Sequence, residues 1–147
     1  MSRGYFGIGV YGNKFSSNLG TLLRSANILG ASFVFTVGAR YDRQATDTMK
    51  TFRHLPTFWY ANSDDFFSHL PMNCPVVAIE MSDNSYPLER YCHRERCIYL
   101  LGPEDGSIPD DVLSRCTETV RIFGEHCYNV SVAGSIVMYD RYVKSIS

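Results

Sequence analysis

Short apolar runs alternate with amphipathic stretches along the whole chain. The apolar runs are rich in β-branched and aromatic residues, which indicates strands. They are Tyr5 to Tyr11, Ser32 to Val37, Thr57 to Tyr60, Pro75 to Met81, Cys97 to Leu101 and Glu118 to Phe123. Helical patterns lie between most of them, so the sequence predicts an α/β fold whose sheet is mainly parallel and carries helices on both faces. A polar stretch from Ser82 to Arg96 predicts a connection across the surface.

The first helix is predicted directly after the first strand. Ser16 to Asn18 form a helix-start signal, and Gly30 is predicted to end the helix. The apolar positions at helical spacing are Leu19, Leu22, Leu23 and Ala26. Two shorter helices are predicted. One runs from Ser63 to Leu70 and is capped by Ser63-Asp64-Asp65, and the other runs from Pro109 to Cys116 with its proline in the first turn.

The stretch from Glu125 to Lys144 predicts a C-terminal helix. One face carries Val130, Ala133, Gly134, Val137, Met138 and Arg141. Glycine inside a helix costs roughly 1 kcal/mol relative to alanine, so Gly134 predicts close approach of another backbone or of a ligand. Asn129 and Ser131 are predicted to cap the first turn. Taken alone, the stretch is equally compatible with a capped helix packed tightly in a core.

Composition restricts the class of protein. The chain has 147 residues, of which 45% are apolar and 20% are charged, which predicts one globular domain and excludes global disorder. No apolar run is long enough to span a bilayer, and the N-terminus lacks a secretory-signal pattern. Five cysteines without a C-x-x-C pattern argue against a disulfide framework and favour a reducing cytoplasm. Cys92, His93 and Cys97 match no standard zinc spacing, so we expect no metal site.

The charge balance limits how this chain could bind nucleic acid. A net charge of −1 argues against binding by charge alone. A local patch, a preformed pocket or a second subunit would have to supply the affinity. The most basic window runs from Ala39 to His54 and is the candidate for phosphate contacts, although a solvated loop is the simpler interpretation of each residue in it.

Candidate chemistry lies in the segments that follow the predicted strands, because open α/β sheets bind ligands beyond the carboxyl ends of their strands. These segments are 12–18, 80–83, 102–106 and 124–129. The segments and the first helix offer Arg24, Asn13, Asn18, Asn129 and Glu104, with much bare backbone. P-loop, nucleophile-elbow and zinc-protease patterns are absent from the sequence. A formal G-x-G-x-x-G match at 7–12 begins too early in the chain and is interpreted as accidental. The pattern favours holding and orienting a ligand over covalent catalysis.

Three segments resemble the motifs of a known family. They are Asn18-Leu-Gly20-Thr-Leu-Leu-Arg24-Ser-Ala26, Leu101-Gly-Pro-Glu104-Asp-Gly106-Ser-Ile-Pro109 and Tyr128-Asn129-Val-Ser-Val-Ala133. In order and spacing they are similar to the three motifs of the SpoU/TrmH-like RNA 2′-O-methyltransferases, in the SPOUT superfamily. The resemblance covers most of the chain, which has about the size of the catalytic domain of that family, without an appended RNA-binding domain.

The resemblance implies a single methyltransferase domain over residues 1–147, a C-terminal trefoil knot and S-adenosylmethionine as cofactor. By position, the cofactor contacts would be Ile79, Leu101, Gly102, Ile122, Cys127 and Val130. The resemblance also implies a homodimer with the site at or near the subunit interface. The implied reaction moves the sulfonium methyl group to a ribose 2′-hydroxyl of RNA. The small size favours transfer RNA, with ribosomal RNA next.

The resemblance also assigns four catalytic positions. Arg24 takes the place of the catalytic arginine, Asn18 that of a substrate-orienting asparagine, Glu104 that of the second-motif carboxylate and Asn129 that of the third-motif asparagine. Because a guanidinium stays protonated in proteins, we favour Arg24 as a fork that grips a substrate phosphate and stabilises a developing alkoxide, rather than as a general base.

The chain departs from the usual motifs at three positions. Cys127 stands where the family usually has serine, and Asp105 and Ser107 differ from the commoner second motif. Cys127 and the near-neutral charge leave open a non-catalytic relative that binds RNA or the cofactor. A flavodoxin-like module that binds another nucleotide is the third alternative.

Overall fold

The computed structural model describes residues 4–12, 16–38, 55–103 and 106–147, and for residues 16–18 the backbone alone. The basic window from Ala39 to His54 therefore lies outside the described residues, and its phosphate contacts stay a prediction. None of the helices that the described residues form is long and apolar enough to cross a membrane.

Seven strands of the described chain form one sheet. They are β1 (Tyr5–Tyr11), β2 (Phe33–Val37), β3 (Thr57–Tyr60), β4 (Val76–Ile79), β5 (Tyr86–Pro87), β6 (Arg96–Leu101) and β7 (Glu118–Arg121). The strand order is β3-β2-β1-β6-β4-β7-β5, and every neighbouring pair is parallel. The predicted α/β fold with a mainly parallel sheet is confirmed. All seven carboxyl ends therefore lie at one edge of the sheet.

Helices cover both faces of the sheet. In the described part of the chain they are α1 (Ser16–Leu29), α2 (Ser63–Ser68), α3 (Asp110–Leu113) and α4 (Val130–Ser145), with 3-10 turns at Pro71–Asn73 and Leu88–Arg90. Helices α1 and α4 pack on the face that carries Ile8 and Val34. Helices α2 and α3 cover the opposite face through Phe66 and Val112, which are both buried.

The predicted face of α4 packs against α1 and the sheet. Val130, Gly134, Val137, Met138 and Arg141 are buried, and Ala133 is half-buried. A Cβ on Gly134 would lie 2.5 Å from Leu22 Cδ1 of α1 and 3.1 Å from Leu101 Cδ1 of β6. Close packing within one chain therefore accounts for this glycine, and neither a ligand nor a partner helix is needed to explain it.

Glycines in β1 serve the packing of the neighbouring strand. A Cβ on Gly7 would lie 2.2 Å from the ring of Phe33, and one on Gly9 would lie 2.5 Å from the ring of Phe35. Both phenylalanines are buried. The sheet thus needs these two glycines for steric reasons, which supports the interpretation of the G-x-G-x-x-G match as accidental.

Four details of the sequence-based assignment are wrong. Asn62, and not Ser63-Asp64-Asp65, caps α2, because its side chain accepts a hydrogen bond from Asp65 N. That helix ends at Ser68 rather than at Leu70, and α3 ends at Leu113 with Pro109 as its N-cap rather than in its first turn. These boundaries depend on individual cap contacts that periodicity does not contain.

The connection between β4 and β6 is more ordered than a surface crossing. It contains β5 and the 3-10 turn at Leu88–Arg90, and Leu88 and Tyr91 are buried. Because polar residues surround these two, the segment lacks the apolar periodicity that would have predicted them.

Candidate active site

The carboxyl ends of β4, β6 and β7 form a pocket with the start of α4. These three strands are neighbours in the sheet, so the segments that leave them converge. The pocket is a shallow cavity of about 60 Å³ that opens to solvent. All six predicted cofactor residues line it, namely Ile79, Leu101, Gly102, Ile122, Cys127 and Val130. Their contact with a cofactor stays a prediction.

Apolar side chains fix the inner wall of the pocket. Leu101 is 1% exposed and Val130 is 4% exposed, while Ile79 and Ile122 are also buried. Gly102 follows Leu101 without a side chain, and a Cβ there would lie 3.4 Å from Ile108 Cγ1. Gly102 therefore keeps this part of the pocket open.

The turn before α4 forms the outer wall. The Tyr128 hydroxyl donates a hydrogen bond to the Phe123 carbonyl at 2.5 Å, and its ring lies within 3.3 Å of the position of a Cβ on Gly124. Cys127, which lies in this turn, is exposed and lines the pocket. The tyrosine ring thus holds the turn in the shape that brings Cys127 to the opening.

Asn129 caps α4 beside the pocket, as predicted. Its Oδ1 accepts hydrogen bonds from Ser131 N at 3.0 Å and from the Ser131 hydroxyl at 2.7 Å. Both of its neighbours in sequence, Tyr128 and Val130, line the pocket. The cap accounts for an asparagine at this position without any ligand, so its predicted catalytic role stays untested.

Arg24 lies on the exposed side of α1 and is not one of the pocket-lining residues. The next residue, Ser25, faces α4, where the Ser135 hydroxyl lies 3.0 Å from its own. The side chain of Asn18 and all of Glu104 lie outside the described residues. The structure therefore brings the six cofactor candidates and Asn129 together at one edge and places Arg24 outside the residues that line the pocket. The positions of the Asn18 side chain and of Glu104 relative to the pocket stay predictions.

Glu80 is a pocket residue that the sequence-based site did not include. It follows Ile79 directly and is half-buried. Burial raises the pKa of its carboxyl above the ordinary value, while hydrogen bonds from Ile108 N and the Ser107 side chain oppose the rise. The sequence feature that could have identified Glu80 is its position as a charged residue at the carboxyl end of a fully apolar strand.

Of the three residues considered as metal ligands, His93 and Cys97 have other partners. His93 lies between Tyr99 OH, 2.6 Å from Nδ1, and Asp140 Oδ2, 2.7 Å from Nε2. Cys97 Sγ accepts from Arg141 at 3.7 Å. Within the described ranges, no group of three or more His, Cys, Asp and Glu side chains could hold a metal ion.

The sequence matches the model of one protein family, and the fold matches several solved structures. The model of the SpoU rRNA Methylase family matches residues 7–139. No curated protein matches the sequence. An AdoMet-bound rRNA methyltransferase from Sinorhizobium meliloti is 22% identical with a TM-score of 0.85. A SpoU methyltransferase from Streptomyces viridochromogenes in complex with AdoMet is 17% identical with a TM-score of 0.83. A structure that concerns the 2-OH methylation of C/U34 on tRNA is 22% identical with a TM-score of 0.80.

These similarities extend over nearly the whole chain. They cover 98%, 97% and 98% of it, respectively. In turn, the chain spans 58% of the length of each of the first two proteins and 92% of the third. At these identities the structural matches establish the fold.

Proposed function

The chain belongs to the SpoU rRNA methylase family, and from this premise we propose that it transfers a methyl group from S-adenosylmethionine to a ribose 2′-hydroxyl of RNA. The predicted membership of this family is confirmed. Members of the family depend on S-adenosylmethionine. The observation that carries the proposal is the pocket at the ends of β4, β6 and β7, which all six candidate cofactor residues line.

The pocket suits a nucleoside joined to a charged amino acid. Its buried wall of Ile79, Leu101, Ile122 and Val130 can pack against a flat base, and Gly102 allows a ligand to approach the backbone closely. Strand ends and a helix start supply backbone donors and acceptors around it. S-adenosylmethionine would supply an electrophilic methyl group on a positively charged sulfur.

We propose that Arg24 acts on the RNA rather than on the cofactor. Its exposed position on α1 suits a planar fork that grips a phosphate beside the target ribose and stabilises a developing alkoxide. Asn18 would orient the same nucleotide, while Glu104 and Asn129 would fix the two segments that border the pocket. Alignment of two reactants in this way supplies up to roughly 7–11 kcal/mol in favourable cases.

Transfer RNA is the first candidate substrate and ribosomal RNA is the second. The support for this order is that the chain spans 92% of the protein that concerns C/U34 on tRNA, but only 58% of the rRNA methyltransferase from Sinorhizobium meliloti. The basic window at 39–54 remains the candidate contact surface for phosphates. Charge reversal at Arg43 and Arg53 is expected to weaken RNA binding and flatten its salt dependence.

The decisive experiment maps ribose methylation in total RNA from cells with and without the gene. One 2′-O-methyl group in one RNA should disappear on deletion, and the purified protein with S-adenosylmethionine should restore it in vitro. Binding of the cofactor without transfer to any RNA pool would instead favour a non-catalytic relative, to which Cys127 and the near-neutral charge point. Family membership argues against the flavodoxin-like alternative.

We propose further that the C-terminal segment passes through a loop containing the 80–95 connection, which would make a trefoil knot. The support is local: Lys144 Nζ donates to the carbonyls of Leu88 and Tyr91, and Arg141 donates to those of Arg94 and Glu95. Helix α4 and this connection are therefore held against each other. An electron-density map in which residues 122–145 run outside that loop would exclude the knot.

A further inference from the structure

Glu80 places a carboxylate in the wall of the pocket. It lies between the pocket and a neighbouring groove, which Ser107, Asp83, Asp110 and Arg121 also line. Among the described residues that line the pocket itself, no other carries a carboxyl side chain. A single acidic group in a mostly apolar wall is unusual enough to need a physical reason, because burial disfavours the charged form.

One carboxylate oxygen of Glu80 holds the segment that follows β6. Its Oε1 accepts a hydrogen bond from Ile108 N at 3.1 Å, and the Ser107 side chain also bonds to the carboxyl group. Its Oε2 lies 3.3 Å from the position that a Cβ would take on Gly102. The carboxylate is therefore fixed beside a candidate cofactor residue and does not extend freely into solvent.

A fixed negative charge at this wall distinguishes ligands by their charge. S-adenosylmethionine and S-adenosylhomocysteine carry the same nucleoside and amino acid groups. They differ by one methyl group and by the positive charge of the sulfonium. Charges within roughly 8 Å of each other are incompletely screened at physiological salt, and partial burial strengthens their interaction.

We propose, on the basis of the proposed function, that Glu80 makes the pocket selective for the positively charged cofactor over its neutral product. Methyl transfer removes the sulfonium charge, so the product loses an attraction that the cofactor had. Glu80 thereby favours the exchange of product for cofactor after each turnover. Its two roles are separable, because hydrogen bonding to Ile108 N needs only an acceptor, whereas selection needs the charge.

Glu80→Gln separates these roles, since the amide oxygen can still accept from Ile108 N. Isothermal titration calorimetry of the wild type and this variant would use S-adenosylmethionine, S-adenosylhomocysteine and sinefungin, which carries an amino group in place of the sulfonium methyl. We expect about five- to thirtyfold weaker binding of the two cationic ligands and less than about twofold weaker binding of S-adenosylhomocysteine. Equal weakening of all three, or no weakening, would overturn the proposal.

Two further variants control for charge in general and for folding. Asp83→Asn removes the same charge from an exposed side chain of the neighbouring groove, and we expect less than about twofold change for every ligand. Glu80→Ala removes both the charge and the acceptor, so hydrogen exchange at the Ile108 amide should be faster than in Glu80→Gln. If the two Glu80 variants exchange equally fast and weaken all ligands alike, Glu80 is only a structural anchor. Failure of the wild type to bind any of the ligands would instead overturn the proposed function itself.

Discussion

Arg24 is the residue whose role most needs a direct test. It is exposed on α1, and a guanidinium is a poor base but a strong bidentate donor to phosphate. We expect Arg24→Ala to slow methyl transfer by about 100-fold or more, while affinity for S-adenosylmethionine changes by less than about twofold. Arg24→Lys should be intermediate, because an ammonium keeps the charge and loses the fork. Single-turnover transfer and calorimetry measure the two quantities.

Arg90→Ala is the matched control for Arg24. Arg90 is equally an exposed arginine, but it lies in the 3-10 turn at Leu88–Arg90, away from the three motifs. Its loss should leave transfer within about twofold of the wild type. A near-normal rate for Arg24→Lys with a simple upward shift of the pH optimum would contradict the phosphate fork and support a general base.

Steric packing alone explains the glycine at position 134. The effect of a substitution there on the free energy of unfolding can therefore be predicted. A Cβ at this position would lie 2.5 Å from Leu22 Cδ1, a fully buried atom. We expect Gly134→Ala to reduce the free energy of unfolding by about 1–2 kcal/mol, because overpacking exceeds the gain of roughly 1 kcal/mol in helix propensity. Gly134→Val should cost more, about 3 kcal/mol. Urea denaturation measures these differences.

A second substitution, at Leu22, tests the same prediction. If the contact with Leu22 is the cause, Gly134→Ala should no longer destabilise a Leu22→Ala background, and the coupling should appear in a double-mutant cycle. Asn27→Ala, at an exposed position of α1, should change stability by less than about 0.5 kcal/mol. Additive effects of the two core changes would show that the glycine has another cause.

At the scale of elements, α4 is tied to the connection between β4 and β6 by a buried polar cluster. Arg141 is 6% exposed, and it donates to the Arg94 carbonyl at 2.7 Å, to the Tyr99 hydroxyl at 3.0 Å and to the Glu95 carbonyl at 2.9 Å. Its guanidinium also lies 4.7 Å from the centre of the Phe6 ring. A charged side chain in a core is tolerated here because backbone carbonyls take up its donors.

His93 makes this junction sensitive to pH. Its side chain is 6% exposed, and burial lowers its pKa below the ordinary value of 6.5, although Asp140 raises it in part and Lys144 and Arg141 oppose Asp140. The ring also contacts Tyr91 and Tyr99. The folded state binds a proton at His93 less readily than the unfolded state does. This group therefore leaves the free energy of unfolding unchanged above about pH 6.5 and lowers it as the pH falls below that value.

The measurement compares the free energy of unfolding at pH 7.5, 6.5 and 5.5. We expect the wild type to lose stability between pH 6.5 and 5.5 by up to about 1 kcal/mol through this group, and His93→Gln to lose less. His126→Gln, at an exposed position, should follow the wild type. Parallel pH profiles of the wild type and His93→Gln would exclude this role.

The sequence predicts those elements that depend on the pattern of their own residues. β1, β2, β4 and β6 are buried strands with continuous apolar runs, and Gly30 ends α1 with a positive φ of 89°. By contrast, β5 has two residues and exists through its pairing with β7. Glu80 joins the pocket through a hydrogen bond to a residue 28 positions further along the chain. Long-range contacts of this kind have no local periodicity, so only the structure identifies them.

At the scale of the whole molecule, α4 keeps an apolar outer face. Tyr139 and Ile146 are each 57% exposed, and Tyr142 and Val143 are exposed as well. The rings of Tyr139 and Tyr142 lie 6.0 Å apart. Aromatic residues concentrated on one helix face are typical of an interface, and a self-complementary patch is the usual basis of a two-fold dimer. The homodimer remains a prediction, and we expect this face of α4 to be its interface.

Sedimentation of the purified protein tests the dimer directly. We expect a particle of twice the chain mass of 16.7 kDa, and a Tyr139→Asp, Val143→Asp variant that sediments as a monomer, because a buried unpaired carboxylate costs several kcal/mol at an interface. Tyr86→Asp is the matched control, since Tyr86 is also 57% exposed but lies on β5. If the double variant keeps the dimer, another face joins the subunits. If the wild type is monomeric at micromolar concentration, the exposed face of α4 requires a different explanation, and the site must be complete within one chain.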